Sequence, residues 1–371
     1  MSFRKTVIAV GASLSAAVAA SAQTDYKPDI FGVIKARFEI CTDNGDHRFN
    51  VRNSRFGVQG NVSRSMRYRV QIELSSEGKL DVLDSYIAYT VGRFELSVGQ
   101  QQYRFSTDLD RGASRNLFAN RSFIGKFLTQ YYGTEAEDGR AVPVLKSIGS
   151  RDIGALASYR FGGDTPVRLL AGIFNGEGIN NPEWTGSVNV VASLRIGAEK
   201  GFGGSASFYT GDTPLSTRVV TVGGKLETVK YKQNIRMWDA ELRYIGDRFL
   251  IEAEFAQRLL DKSRSRLLTA AVVHGMYHFM LPENSFAEMV SPLLSWDYGD
   301  NIKYIDKLTG ALAGFTAHRI RAGVTVGFAG KILQSEIRFN YEHYFLRKRP
   351  DDFSVNNLLH NKFTVEFIAA F

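Results

Sequence analysis

The chain has 371 residues, a formal charge of +8, 35 glycines, 8 prolines and a single cysteine, Cys41. One cysteine excludes an internal disulfide framework, and no stretch after the N-terminal region approaches the ~20 apolar residues of a membrane-spanning helix. Phe and Tyr together number 42 (26 and 16), a composition that favours strands over helices.

In chain order, residues 1–22 read first as an export leader. Arg4 and Lys5 form a basic start, Thr6 to Ala20 is apolar and rich in Ala and Val, and Ala20-Ser21-Ala22 offers small residues for cleavage before Gln23. Loss of Arg4 and Lys5 with the leader lowers the charge from +8 to +6.

From about residue 30 onwards the chain alternates with period two. Ile34, Ala36, Phe38 and Ile40 alternate with Lys35, Arg37 and Glu39; Tyr68, Val70, Ile72 and Leu74 alternate with Arg67, Arg69, Gln71 and Glu73. The same pattern returns at 94–99, 188–196, 238–244, 319–328 and 337–342. It slips near Asn53, and both faces are apolar over 267–298. The last residues alternate strictly, with Phe363, Val365, Phe367, Ala369 and Phe371 on one face. Strand starts fall near residues 30, 50, 66, 81, 93, 151, 167, 187, 204, 235, 248, 267, 285, 316, 332 and 360.

The connections alternate in length. Short ones include Ser63-Arg64-Ser65, Val91-Gly92, 162–166, 245–247, 282–284 and Ala329-Gly330; long ones are 103–150, 175–186, 210–234, 298–315 and 346–359. An outer-membrane barrel has short periplasmic turns, long outer loops and an even strand number. The predicted class is therefore all-β, a transmembrane antiparallel β-barrel over residues 23–371. The pattern counts sixteen strands, with fourteen or eighteen as the neighbouring possibilities. Sixteen strands enclose an aqueous opening, whereas eight fill their own interior.

The longest loop, 103–150, is expected to fold into the lumen as a constriction. It carries Arg104, Arg111, Arg115, Arg121, Lys126, Arg140 and Lys146 against five carboxylates. Excess positive charge on an exported barrel suggests an anion path.

Several ordered segments carry a family resemblance. These are Val51-Arg52-Asn53-Ser54-Arg55-Phe56-Gly57-Val58-Gln59-Gly60, Leu83-Asp84-Ser85-Tyr86-Ile87-Ala88-Tyr89, Val98-Gly99-Gln100, Phe118-Ala119-Asn120-Arg121-Ser122-Phe123 and Gly172-Ile173-Phe174-Asn175-Gly176-Glu177-Gly178. Together they resemble the phosphate-selective porin O/P family. The resemblance implies a homotrimeric sixteen-stranded channel passing phosphate or other small anions, with an arginine ladder along the wall and lysines at the constriction. By position, Arg104, Arg115, Arg121 and Lys126 match the loop part, while Arg52, Arg55, Arg67, Arg69, Arg319, Arg321 and Arg338 are candidate wall rungs. The chain departs from the pattern after Gly99-Gln100, where Gln101-Gln102-Tyr103-Arg104 stands in place of the expected Lys and Pro.

Other readings find less support. A porin for sugars or without charge preference would want an aromatic track in the lumen, and the aromatics are scattered. Glu73, Glu95, Glu241 and Glu336 are lumen-side carboxylates that dilute a positive field. An outer-membrane hydrolase needs a His and Ser with an orienting acid; His318 is conceivable, but no Gly-x-Ser-x-Gly elbow is present. His274 and His278 on a strand would stand about 13 Å apart, too far to share a metal. No cofactor and no nucleic-acid partner are expected. The expected partners are small anions, the lipid and lipopolysaccharide of the outer membrane, and further copies of the chain. Residues 267–298 and the first strands are the candidate trimer wall.

Overall fold

The computed structural model describes residues 26–371, apart from 138–139, 164, 223–224 and 329–333. The leader over residues 1–22 and the turn at Ala329-Gly330 lie outside the described residues.

The first five strands are β1 (Asp29–Cys41), β2 (His47–Asn61), β3 (Met66–Ser76), β4 (Lys79–Val91) and β5 (Phe94–Gln102). A small separate hairpin follows, β6 (Gln130–Glu137) and β7 (Arg140–Ser147). Then come β8 (Arg151–Phe161), β9 (Val167–Phe174), β10 (Asn189–Gly197) and β11 (Gly201–Asp212), and a second separate hairpin, β12 (Ser216–Val222) and β13 (Lys225–Tyr231). The chain continues with β14 (Asn234–Ile245), β15 (Phe249–Leu260), β16 (Leu267–Tyr277), its two-residue continuation β17 (Phe279–Met280), β18 (Met289–Ile305), β19 (Leu312–Phe328), β20 (Gln334–Leu346) and β21 (Lys362–Ala370).

Without the two separate hairpins, and with β16 and β17 counted as one stave, sixteen antiparallel strands remain. Each pairs with its neighbour, and β21 pairs with both β20 and β1, which closes the barrel. Closure gives every described stave of the barrel a partner on both sides, the condition for a sheet to exist in lipid. All sixteen expected strand starts lie within four residues of the observed ones.

The alternation acts as an inside-out pattern. Outward residues are large and apolar, such as Ile34, Ile87, Val98, Leu242 and Phe367. Inward residues are polar and enclosed: Lys35, Arg37, Glu73, Asp297, Arg319 and Glu366 are all buried. The slip near Asn53 is a bulge, where the β1–β2 register shifts between Lys35 and Ala36.

The expected loop 298–315 is corrected to a six-residue turn, 306–311, with paired strand on both sides. Gly299-Asp300-Asn301 reads as loop chemistry, yet it forms a bulge. The register shifts between Gly299 and Ile302, Asn301 takes a left-handed φ of 56°, and pairing resumes from Ile302↔Phe315 to Ile305↔Leu312. Two of the long connections, 103–150 and 210–234, each contain a hairpin.

The seam has a specific lock. Gly32 N–H donates to the Phe371 carbonyl at 2.8 Å, and Phe371 N–H donates back at 3.1 Å. A Cβ on Gly32 would stand 2.5 Å from the Phe371 ring and 2.7 Å from the Arg55 carbonyl. The ring thus lies where only glycine leaves room. We expect deletion of Phe371 to lower the heat-resistant folded fraction on semi-native gels, and Gly32→Val to do the same through overpacking of about 1–3 kcal/mol. Normal folded yield in both variants would show that the seam does not need this contact.

Candidate functional site: a cationic passage beside an inward loop

The connection from β5 to β8 runs inside the barrel over residues 103–129. Two short helices, Thr107–Asp110 and Phe123–Phe127, punctuate it, with Ser106 and Ser122 as N-caps whose side chains accept from Leu109 N–H and Gly125 N–H. One side of the segment is apolar. Tyr103, Phe105, Phe123, Ile124, Phe127 and Leu128 pack in one buried cluster with wall residues that include Tyr209, Ile235, Met237, Leu268, Ile302 and Phe315. This explains why β16 is apolar on both faces near its start: Leu268, Ala270 and Val272 cover the loop from within.

The polar side of the loop is tied to walls on several sides. Asp108 N–H donates to Glu254 of β15 at 3.0 Å, Ser106 hydroxyl donates to the same carboxylate, and Arg111 pairs with Glu252. Asp110 meets Arg195 of β10 at 3.0 Å. Further along, Ala119 N–H donates to Asn340 at 2.8 Å, and Asn120 bonds Glu342 at 2.6 Å and Arg37 at 3.0 Å. Arg321 donates to the Asn120 carbonyl and Arg319 to the Arg121 carbonyl, both at 2.8 Å. Two neighbouring carboxyls in the first helix are shifted in opposite directions. Burial works against ionisation of Asp108, but Arg111 and Arg121 outweigh it and hold the group below its usual range. At Asp110 burial prevails over Arg195 and Arg104 and pushes the carboxyl up.

With its apolar side against β9–β19, the loop leaves space along β1–β4 and β20–β21. Two cavities lie there, one above and one below residues 112–121. The one toward the long-loop end has a volume of about 590 Å³ and brings together Arg52, Arg121, Lys126 and Arg319. Its lining holds eight Arg and Lys side chains against four carboxylates. The one toward the short-turn end, about 450 Å³, brings together Arg55, Arg69, Arg104 and Arg115, and its lining holds five arginines against two aspartates.

The candidates divide into free and engaged groups. Arg104 and Arg115 are exposed in the lower cavity, and Lys126 is exposed in the upper one. None of these three, nor Arg52, has a carboxylate within ion-pair distance among the described residues. Arg104 is held in a left-handed conformation, φ 58°. Arg55 pairs with Glu73 at 2.5 Å, Arg69 with Asp84 at 3.3 Å, and Arg67 with Glu95 at 3.0 Å. Arg67 lines neither cavity. Arg319 is fully enclosed between Asp297 and Glu342, and Arg321 shares Asp297 at 2.8 Å. Arg321 is stacked on Phe118 and outside both main cavities. Arg338 pairs with Glu336 at 2.6 Å and reaches the Ser114 carbonyl. Arg121 spends its guanidinium on the carbonyls of Asp108, Leu109 and Arg111, at 2.9–3.1 Å.

Five cavity cations stand outside the candidate set: Arg37, Arg48, Arg151, Lys307 and Lys362. Arg37 was findable, since it sits on the polar face of β1 between Lys35 and Glu39. Lys307 and Lys362 come from the ends of distant strands, and only barrel closure brings them to Lys126. His318 points outward on β19, its ring between Trp296 and Tyr298 at centroid distances of 5.7 and 5.0 Å.

Solved outer-membrane proteins share this fold. OmpT of Vibrio cholerae with loop L8 deleted is 16% identical, covering 94% of this chain and 100% of that one at a TM-score of 0.57. OmpF of Salmonella typhi in complex with daunomycin is 14% identical (93% and 98% covered, TM-score 0.58). An anion-selective porin of Comamonas acidovorans is 13% identical (93% and 99% covered, TM-score 0.57). No curated protein matches the chain by sequence. The chain thus has the closed sixteen-stranded fold of outer-membrane porins, and its residues 36–142, from β1 through the inward loop, match the model of the phosphate-selective porin O and P family.

Proposed function

We propose that this porin is a channel for passive diffusion of small anions, with phosphate and short polyphosphates as preferred solutes. The observation that carries the reading is the charge of the passage. The two cavities flanking residues 112–121 are lined by thirteen cations and six carboxylates. A narrow aqueous opening between low-dielectric walls focuses the field of fixed charges and raises the local concentration of the opposite ion. Arginine suits this role, because its planar donors meet phosphate oxygens in pairs and its charge does not titrate away. Arg104 and Arg115 below the loop, with Arg52 and Lys126 above it, are the groups free to meet a passing ion. Several sites of moderate affinity permit exit as well as entry. Residues 103–129 act as the constriction. The first 22 residues serve as the export leader, and the assembly is a homotrimer in outer-membrane lipid and lipopolysaccharide.

One observation favours a second reading, a general or sugar-permeable porin of little charge preference. Most wall arginines are neutralised by a paired carboxylate, as at Arg55–Glu73, Arg69–Asp84 and Arg319–Asp297. The free cations decide between the two readings. In a planar bilayer under a KCl gradient, the dilute side should become negative and added phosphate should reduce conductance. Arg52→Ala with Lys126→Ala should cut the anion preference by about twofold or more. A potential near zero in the parent protein would leave a general diffusion pore, and an unchanged potential in the variant would remove these two residues from the selectivity set.

Arg121 makes a separate prediction. Its three carbonyl contacts hold the 108–111 turn, and hydrogen bonds from a charged donor contribute about 1.5–3 kcal/mol each. Arg121→Gln should therefore raise open-channel current noise and speed proteolysis within 103–129, while the barrel keeps its heat resistance. Quiet channels with an intact loop would mean that the apolar cluster alone holds the segment.

A further inference from the structure

We infer that the outward face of the β18–β19 hairpin, where it overhangs the membrane, is a docking site for the phosphorylated headgroup of an outer-leaflet glycolipid. This rests on the outer-membrane reading above and gives the lipid partner a place.

The register builds the site row by row. Tyr298 of β18 lies opposite His318 of β19, which lies opposite Phe345 of β20. Trp296 stacks on Tyr298 and His318, so the row is a continuous aromatic belt on the lipid-facing surface. Aromatic rings of this kind mark the level of the membrane interface.

The next row toward the long-loop end is polar. Thr316 hydroxyl donates to Asp300 at 2.5 Å, and Arg347 N–H donates to the Thr316 carbonyl at 3.0 Å. Above it, a cavity of about 790 Å³ at the hairpin's long-loop end is bounded by the outward Lys303, Gly314 and Thr316, by the rim residues Tyr304 and Phe315, and by residues 264–267 and 347–351. Five cations line it: Arg264, Lys303, Arg347, Lys348 and Arg349. None has a carboxylate within ion-pair distance among the described residues, in contrast to the lumen wall, where pairing is the norm.

Three aspartates share the lining, but two are already engaged. Asp300 holds Thr316, and Asp306 accepts from Leu308 N–H, Thr309 N–H and the Thr309 hydroxyl within its own turn. The cavity is therefore electropositive, and Lys303, Gly314 and Thr316 in its lining continue the face of the hairpin that carries the aromatic belt. A free anion would have no use for the belt. A phosphorylated glycolipid fits both halves, because its headgroup phosphates reach the cations while its chains lie on Trp296, His318 and Phe345.

The test uses purified full-length protein and its Arg347→Gln/Lys348→Gln/Arg349→Gln variant, whose three side chains are exposed. Native mass spectrometry measures retention of bisphosphorylated lipid A, with dephosphorylated lipid A and inorganic phosphate as separate probes. We expect the parent to retain bisphosphorylated lipid A roughly tenfold or more better than the variant, since each cation near an anionic lipid surface adds attraction. The dephosphorylated lipid and inorganic phosphate should bind neither protein measurably. Equal retention by parent and variant would overturn the site, and so would tight inorganic phosphate binding that the variant abolishes without any lipid effect. Single-channel conductance of both proteins separates this from the porin reading. Conductance with unchanged lipid retention rejects the site alone, whereas absence of a channel in the parent rejects the reading beneath it.

Discussion

The structure depends on how residues 103–129 are held across the inside of the barrel. A chain segment in the lumen must satisfy its backbone polar groups without a sheet of its own. Here wall side chains do it: Arg319 and Arg321 take the carbonyls of Arg121 and Asn120, Asn340 takes Ala119 N–H, and Glu254 takes Asp108 N–H. The other side of the segment is a hydrophobic core turned inward, around Phe123, Phe127, Ile302 and Phe315. Burial of that side against β9–β19 pushes the open space toward β1–β4. The location of the passage is therefore a consequence of packing as much as of charge.

The same arrangement explains the mixture of paired and free cations. Arg319 is fully enclosed, and a guanidinium there is tolerable only with Asp297 and Glu342 beside it. Its role is to anchor the loop. Cations that need no partner are those exposed to the cavities, Arg104, Arg115 and Lys126. Position in the lumen thus separates arginines that build the constriction from those able to meet a solute, though all of them read alike as wall or loop arginines.

Much of the architecture was legible because a membrane barrel obeys one rule at every strand: apolar toward lipid, polar toward the lumen. That rule locates all sixteen staves, and its slip near Asn53 coincides with the β2 bulge. The failures have physical causes. Gly299-Asp300-Asn301 reads as a loop because glycine and asparagine favour left-handed backbone, and a bulge exploits the same freedom without ending the strand. The two apolar faces near the start of β16 break the rule because its inner face meets the loop's core in place of water. The candidate site was legible only in part. Arg52, Arg115 and Lys126 could be named as basic residues on the right segments, but whether each would be free or spent on a carboxylate or carbonyl could not.

The sequence by itself determined the strands, their alternating connections, the inside-out polarity and the excess of cations along the passage, since each follows from residue type at period two or from charge. Only the tertiary structure decided which cations share a cavity. Arg52 and Lys126 are 74 residues apart, as the numbering shows, and Lys362 reaches them from the far end of the chain. No local pattern encodes that meeting. It arises because the barrel closes β21 onto β1 and because the loop's apolar side selects one wall and leaves the opposite one to water.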